Sequence, residues 1–362
     1  MNRTITLWDN LELKVPLIQG GMGIGISLSS LAGAVAGEGG IGIISAAQIG
    51  FREKDFDQNP LKANLRAMKS ELEKARGICQ NGIIGFNIMK AMRHYEEYVR
   101  AAVQTGADII VSGAGLPMEL PEIVMKTLRE QGEKLKKRPL LAPIISTDKA
   151  ANVLLKYWGR KYQMMPDLLV IEGPKAGGHL GFTPDQLETF QEKEYEEEVK
   201  KIMDTVHGFE KQYTCRIPTA LGGGIDTKAA AERAFALGAD LIQVASRFVT
   251  TKECDADIRY KEAYLEAEKE DIVIVKSPVG MPGRAIKNKF IDRIMKGEQL
   301  PPCSCHGCLH KCKPAQIPYC ITDALIHAAK GEVDDALLFC GACAYRSKKI
   351  ETVKDVIDSL VR

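Results

Sequence analysis

Leu168-Leu169-Val170-Ile171-Glu172-Gly173-Pro174-Lys175-Ala176-Gly177-Gly178-His179-Leu180-Gly181 runs from an apolar segment into a glycine-rich loop that holds one histidine. Consecutive aliphatic residues with no polar alternation read as a strand buried on both faces, and the run is too short for an ordinary helix. Small residues let a ligand approach the backbone closely, and imidazole is the side chain whose ordinary pKa lets it exchange a proton near neutrality. A strand that ends in such a loop is how an α/β enzyme builds a site.

Seven further runs of the same kind can be read on either side: Pro16 to Gln19, Ile41 to Ser45, Ile83 to Asn87, Asp108 to Ser112, Leu140 to Ile145, Pro218 to Leu221 and Leu241 to Val244. Helix-like segments separate them, at Ser27 to Val35, Pro60 to Ala75, Tyr95 to Thr105, Pro121 to Gly132, Lys149 to Trp158, Tyr195 to Gly208 and Lys228 to Leu237. Alternating strands and helices with near-continuous apolar strands imply a parallel sheet covered on both faces. Eight units ending near residue 250 fit a closed (β/α)8 TIM barrel, whose usual length is about 250 residues. A doubly wound sheet is the alternative, but no strong Gly-x-Gly-x-x-Gly fingerprint with a later acidic ribose partner is present. The expected organisation is a barrel over 1–250, a smaller substrate-side segment over 251–345, and a C-terminal helix over 346–362 packing on the barrel.

The chain has 362 residues with 49 Lys and Arg against 47 Asp and Glu, a formal charge of +2 that offers no large field for nucleic acid or a membrane surface. A small-molecule substrate is the expected partner, and a homodimer is the assembly allowed for. Val15 to Gly37 carries no charge, but Pro16, Gln19, several serines and many glycines make it a buried strand, a glycine loop and a helix, not a membrane span. Arg3, Asp9, Glu12 and Lys14 stand where a secretory signal needs an apolar core, so a cytoplasmic location is expected.

In a TIM barrel the residues after each strand form the site. Here they are Gln19-Gly20-Gly21-Met22-Gly23, Gly85-Phe86-Asn87, Ser112-Gly113-Ala114-Gly115, Ser146, Glu172 through His179, Gly222-Gly223-Gly224 and Ala245-Ser246-Arg247. The last two loops are where such barrels often bind phosphate through free backbone N–H groups and a helix amino terminus. Gly222-Gly223-Gly224 before a helix, and Ser246 after the eighth strand, suit that role.

A second constellation is Cys303-Ser304-Cys305-His306-Gly307-Cys308-Leu309-His310-Lys311-Cys312, continued by Cys320, Cys340 and Cys343. A chain without an export signal keeps thiols reduced, so this density points to a metal more than to disulfides. Cys305, Cys308, Cys312 and Cys320 are the expected ligands, with Cys303, Cys340 and Cys343 as unranked substitutes. Zinc would make a closed structural site, while a [4Fe-4S] cluster could exchange single electrons with a redox cofactor. Isolated Cys79, Cys215 and Cys254 are read as inert.

The loops quoted above, together with Ala236-Leu237-Gly238-Ala239-Asp240, Arg247-Phe248 and Thr251-Lys252-Glu253, resemble the nitronate monooxygenase family, formerly 2-nitropropane dioxygenase, which includes the flavin-dependent enoyl-ACP reductase II. The resemblance runs in order from about residue 5 to 295. It implies a TIM barrel that binds FMN without a covalent link, with a smaller domain inserted near its carboxyl side. It further implies His179 as the catalytic imidazole, Gly223, Gly224 and Ser246 at the FMN phosphate, and Met22, Asn87 and Gln243 along the flavin; Gly21, Glu172, Gly177, Gly178, Gly222 and Ala245 complete the expected cofactor contacts. Two departures bear on the substrate. Phe182 to Leu187 and the charged run Glu192 to Lys201 replace a more apolar loop of better-known members, and Ser277-Pro278-Val279-Gly280-Met281-Pro282-Gly283-Arg284-Ala285-Ile286 resembles a bacterial subgroup. Two chemistries fit these residues: oxidation of alkyl nitronates to carbonyl compounds and nitrite with oxygen, in which His179 holds the nitro group or takes a proton as a base with a pKa near 7, and NAD(P)H-dependent reduction of enoyl thioesters or related electron-poor alkenes. A non-catalytic flavin or metal redox sensor is a third, less favoured class, because it gives His179 no task.

Overall fold

A computed structural model describes residues 5–8, 11–132, 137–278, 280–302 and 304–362. Eight parallel strands close on themselves: β1 (Leu17–Gln19), β2 (Ile41–Ser45), β3 (Ile83–Asn87), β4 (Ile109–Ser112), β5 (Leu140–Ile145), β6 (Leu169–Glu172), β7 (Thr219–Gly222) and β8 (Leu241–Val244). Closure is made by β8 on β1, with Ile242 opposite Leu17 and Val244 opposite Gln19. The sheet therefore has no free edge. These are the eight runs read from the sequence, shifted by a residue at several ends.

Alternation within each strand sorts its side chains. Ile18, Ile43, Ile83, Ile109, Val111, Val170, Ala220 and Leu241 fill the barrel interior, whereas Leu17, Ile44, Ile84, Phe86, Ile110, Leu169, Ile171 and Ile242 face outward into the layer beneath the helices. Both sets are buried, which is why the strands carry continuous apolar runs. Each such aliphatic side chain contributes roughly 1.5–3 kcal/mol by leaving water.

The outer ring is α1 (Ser29–Gly37), α2 (Pro60–Ile78), α3 (Tyr95–Gln104), α4 (Leu120–Gln131), α5 (Asp148–Tyr162), α6 (Glu192–Tyr213) and α7 (Lys228–Ala236). Local chemistry starts several of them: Asn59 accepts from Lys62 N ahead of Pro60 in α2, and Thr147 and Thr227 cap α5 and α7. α1 has Leu28 at its N-cap and no cap of its own. Asp255, far along the chain, accepts from the backbone N–H groups of Leu28, Ser30 and Leu31 at 2.8, 3.2 and 3.2 Å and does the same work. The small residues of α1 pack so closely on β2 that a methyl at Gly42 would lie 1.9 Å from the Ala32 carbonyl oxygen.

After β8 the chain leaves the barrel and comes back through one neck. Glu351 N donates to Thr250 O at 3.0 Å and Lys252 N to Glu351 O at 2.9 Å, while Arg247 pairs with the Glu351 carboxylate at 2.8 Å. α8 (Val353–Val361), begun by a Thr352/Asp355 capping box, then packs against α1 and α7 with Val353, Val356, Ile357 and Leu360 in the barrel's outer core. Between the two sides of the neck lie the antiparallel hairpin Ile272–Lys276 and Pro282–Ile286 and the helices Ile258–Glu266, Lys289–Met295 and Ile321–Ala329. Among the described residues no helix is long and apolar enough to cross a membrane.

Candidate active site

A cavity of about 260 Å³ opens at the carboxyl ends of the strands, between the barrel mouth and the segment that passes through the neck. One water needs only roughly 10–15 Å³ of such space, so a multi-ring ligand is the appropriate scale. Gly21 and Met22 after β1, Asn87 ending β3, Glu172 and Gly177 to His179 after β6, Gly223 and Gly224 after β7, and Gln243, Ala245 and Ser246 at β8 all border it. Gly222 does not; it sits in β7 opposite Glu172 and Gln243.

The close approaches explain the residue types. A methyl at Gly21 would stand 2.3 Å from Asn87 Cβ, so a side chain there would displace Asn87 from the cavity wall. Gly177 is pressed against the backbone of Cys340, with a virtual Cβ 2.6 Å from its carbonyl carbon. Gly223 and Gly224 take φ values of +103° and +81°, which leaves a glycine turn before the Thr227-capped start of α7.

His179 is not in a free loop. Gly178–His179 forms a two-residue strand paired with Pro282–Ile286, and Leu180 N donates to Pro282 O at 2.9 Å. The imidazole is fixed by Ser277, whose Oγ lies 2.8 Å from Nε2, and by Phe339, whose ring meets it edge-on at 5.0 Å. Burial lowers its pKa from the usual 6.5 to about 4. The expectation of a base poised near 7 is thereby corrected: in an apolar enclosure without an anionic neighbour the neutral ring is favoured. Glu172 moves the other way. Its carboxyl sits half-buried at the end of β6, and desolvation raises its pKa to about 7.

The phosphate-type loops meet a partner that the sequence did not reveal. Gly341 N donates to Ser246 Oγ at 2.8 Å and Ala342 N to Lys175 O at 3.0 Å, so Cys340 to Cys343 form the wall facing Gly223 and Gly224. Burial pushes the Cys340 thiol up to about 12, leaving it protonated and unreactive. Arg284, buried on the hairpin, donates to Ala176 O and steadies the loop that precedes His179. Ser277, Phe339 and Arg284 were thus missed as site residues; the only signal was the Ser277 to Ile286 stretch, whose Pro and Gly content marks a turn but not what it touches.

The cysteine expectation fares differently. Cys305, Cys308, Cys312 and Cys320 share one neighbourhood, but among the described residues no three His, Cys, Asp or Glu side chains come together as a metal-ligand set. Cys303 lies outside the described residues. Cys308 and Cys312 pack on the apolar cluster of Leu309, Tyr319 and Ile321, Cys320 is the buried N-cap residue of helix Ile321–Ala329, and Cys305 faces solvent. The loop is held by other means: His306 bonds Asp57 at 3.0 Å and stacks on Phe56, Arg93 N donates to Cys308 O, and His310 N to Ala91 O. It thereby clamps the loops after β2 and β3 and contributes Cys308 and Leu309 to the cavity.

Comparison with known proteins agrees with this architecture. The chain is 25% identical over 316 residues to a probable nitronate monooxygenase of Staphylococcus aureus (strain Newman), covering 81% of each chain. It is 22% identical over 293 residues to the (3aS,4S,5R,7aS)-5-hydroxy-7a-methyl-1-oxo-octahydro-1H-indene-4-carboxyl-CoA dehydrogenase of Mycobacterium tuberculosis (strain ATCC 25618 / H37Rv), covering 81% of this chain and 69% of that one. The fold is that of FabK from Thermotoga maritima, with a TM-score of 0.70 at 22% identity over 96% of this chain and 92% of the other. Nitroalkane oxidase from Streptomyces ansochromogenes superposes with a TM-score of 0.69 at 16% identity over 96% and 94%. The family described as Nitronate monooxygenase matches residues 4–362, and with a match along nearly its whole length the chain belongs to that oxidoreductase family.

Proposed function

We propose that this chain is an FMN-dependent oxidoreductase that oxidises alkyl nitronates to carbonyl compounds and nitrite with oxygen. The observation that carries the reading is the convergence of seven barrel-mouth loops, one of them carrying His179, on one cavity. Its residues suit the cofactor: Gly223, Gly224 and Ser246 would hold the phosphate at the amino-terminal side of α7, and Met22, Asn87 and Gln243 would border the ring. When bound, FMN supplies the electron transfer from substrate to oxygen. The protein supplies position and proton control. Neutral His179, with Nε2 engaged by Ser277, would present its ring at the cavity wall to the substrate. A ring whose pKa lies near 4 is a weak base, so the reading favours a substrate that arrives already as the nitronate anion over a neutral nitroalkane awaiting deprotonation. Phe339 and the apolar wall around His179 exclude water from the reacting atoms.

A second reading, NAD(P)H-dependent reduction of an enoyl thioester, is favoured by one feature: Met89, Met92, Leu309, Ile321 and Leu325 give the cavity an apolar arm between barrel and insert, suited to an acyl chain. The Mycobacterium relative is named for action on a CoA thioester. Purified protein should have a flavin spectrum and, on the first reading, release nitrite with oxygen uptake from an alkyl nitronate. Rapid anaerobic NAD(P)H oxidation with an enoyl thioester, without nitrite release from nitronates, selects the second. Protein that binds no flavin and turns over neither substrate refutes both.

A further inference from the structure

Of the charge-bearing residues around the cavity, most are already paired: Lys175 with Glu192 at 3.1 Å, Asp226 with Arg346 at 3.0 Å and Arg247 with Glu351 at 2.8 Å. Glu172 is different. Among the described residues its carboxyl has neither an ion-pair nor a hydrogen-bond partner, although it sits half-buried at the end of β6 and borders the cavity. The titratable group that faces it is Tyr195 of α6, with Glu198 one turn further along; His179 and Lys175 border the same cavity without pairing with it. The Tyr195 hydroxyl is itself buried without a partner among the described residues. Among the described residues no cation compensates the carboxylate. A desolvated, unpaired acid in such a place keeps its proton to higher pH than usual, and a protonated carboxyl is a hydrogen-bond donor.

We propose that Glu172 is a neutral carboxyl that donates a hydrogen bond to the ring edge of the bound flavin, so that the cofactor binds with this proton in place and is released more readily once the proton is lost. The proposal rests on the flavin reading of the preceding section. Flavin rings offer carbonyl oxygens and ring nitrogens as acceptors, and the ionised carboxylate would set its negative charge against those lone pairs in a poorly solvated enclosure. The step is a simple protonation equilibrium: Glu172 loses a proton to solvent, and the hydrogen bond to the ligand is lost with it.

The test is fluorescence titration of flavin-free protein with FMN from pH 6.5 to 8.5, comparing wild type with Glu172→Gln, whose amide is a permanent donor of similar shape. With the carboxyl titrating at about 7, a strict need for the protonated form raises the wild-type Kd roughly 25-fold across this range. In Glu172→Gln that component disappears and only the dependence shared by both proteins remains, including the second ionisation of the FMN phosphate, near pH 6. Two results overturn the proposal while leaving the flavin reading intact: parallel pH profiles for the two proteins, or wild-type binding that tightens with pH because the carboxylate accepts from a ring N–H. Failure of wild type to bind FMN at any pH removes the flavin reading and this proposal together. Glu172→Leu, which fills the space without a donor, should bind FMN weakly at every pH, and tight binding by that variant also overturns the donor role.

Discussion

Replacing His179 by Gln tests the desolvated imidazole through stability, independently of turnover. The folded-state pKa is about 4 against the ordinary 6.5, so between those values the unfolded chain binds a proton that the folded protein refuses. Stability tied to the neutral ring is therefore complete above pH 6.5 and lost as pH falls towards 4. At about 1.36 kcal/mol per pH unit, lowering the pH from 7 to 5 costs the wild type about 2 kcal/mol through this one residue. His179→Gln cannot titrate, yet keeps an amide able to reach Ser277. Urea unfolding of both proteins at pH 7, 6 and 5 should show wild type losing about 2 kcal/mol more than the variant. An NMR titration of the His179 ring should place its midpoint below pH 5. Stability curves that fall in parallel, or a ring that titrates at 6 or above, would refute the reasoning that burial without a counter-charge keeps this histidine neutral.

Ser277→Ala removes the 2.8 Å contact to Nε2 and should lower turnover five- to thirtyfold, the equivalent of about 1–2 kcal/mol, with flavin content unchanged; steady-state kinetics beside an absorbance spectrum checks this. Gly341→Ala sets a methyl 2.7 Å from Ser246 Oγ and should weaken FMN retention on gel filtration without unfolding the protein. Gly208→Ala, in the exposed middle of α6 with nothing within 4 Å of the new methyl, should raise stability by about 0.5–1 kcal/mol, read from the urea midpoint. Chelator treatment should leave the unfolding midpoint unmoved, because Cys308 and Cys320 are already packed within the fold; a clear drop, with about one zinc or four iron released, would reinstate a metal at Cys305, Cys308, Cys312 and Cys320.

The barrel was legible because parallel strands buried on both faces announce themselves as short aliphatic runs, and each run identified its own mouth residues. What escaped were features set by distant parts of the chain. Asp255 caps α1 from beyond the barrel, and no local pattern around Leu28 points to it. The strand at His179 is two residues long and exists because Pro282–Ile286 lies beside it, so a glycine-rich segment read as a loop acquired a ladder. The pKa of His179 depends on an enclosure built by Ser277 and Phe339, and sequence supplies the ring but not the enclosure. For the cysteines, close spacing announces one shared neighbourhood, but the directions of the thiols follow the packing of the loop and not the spacing.

The neck at Thr250 to Lys252 and Glu351 makes residues 253–350 a cassette with its two ends side by side. Held this way, the cassette leaves both stumps joined to each other and α8 docked on α1 and α7, while the cap that Asp255 gives α1 belongs to the cassette. The phosphate-type loops and His179 would stay behind with Met89 and Met92, while Ser277, Phe339, Leu309, Ile321 and Leu325 would travel. Grafting thus transplants the shape of the cavity and the acidity of the His179 ring together. One barrel can acquire a new reaction through a single crossing point, and its histidine is retuned in the same event.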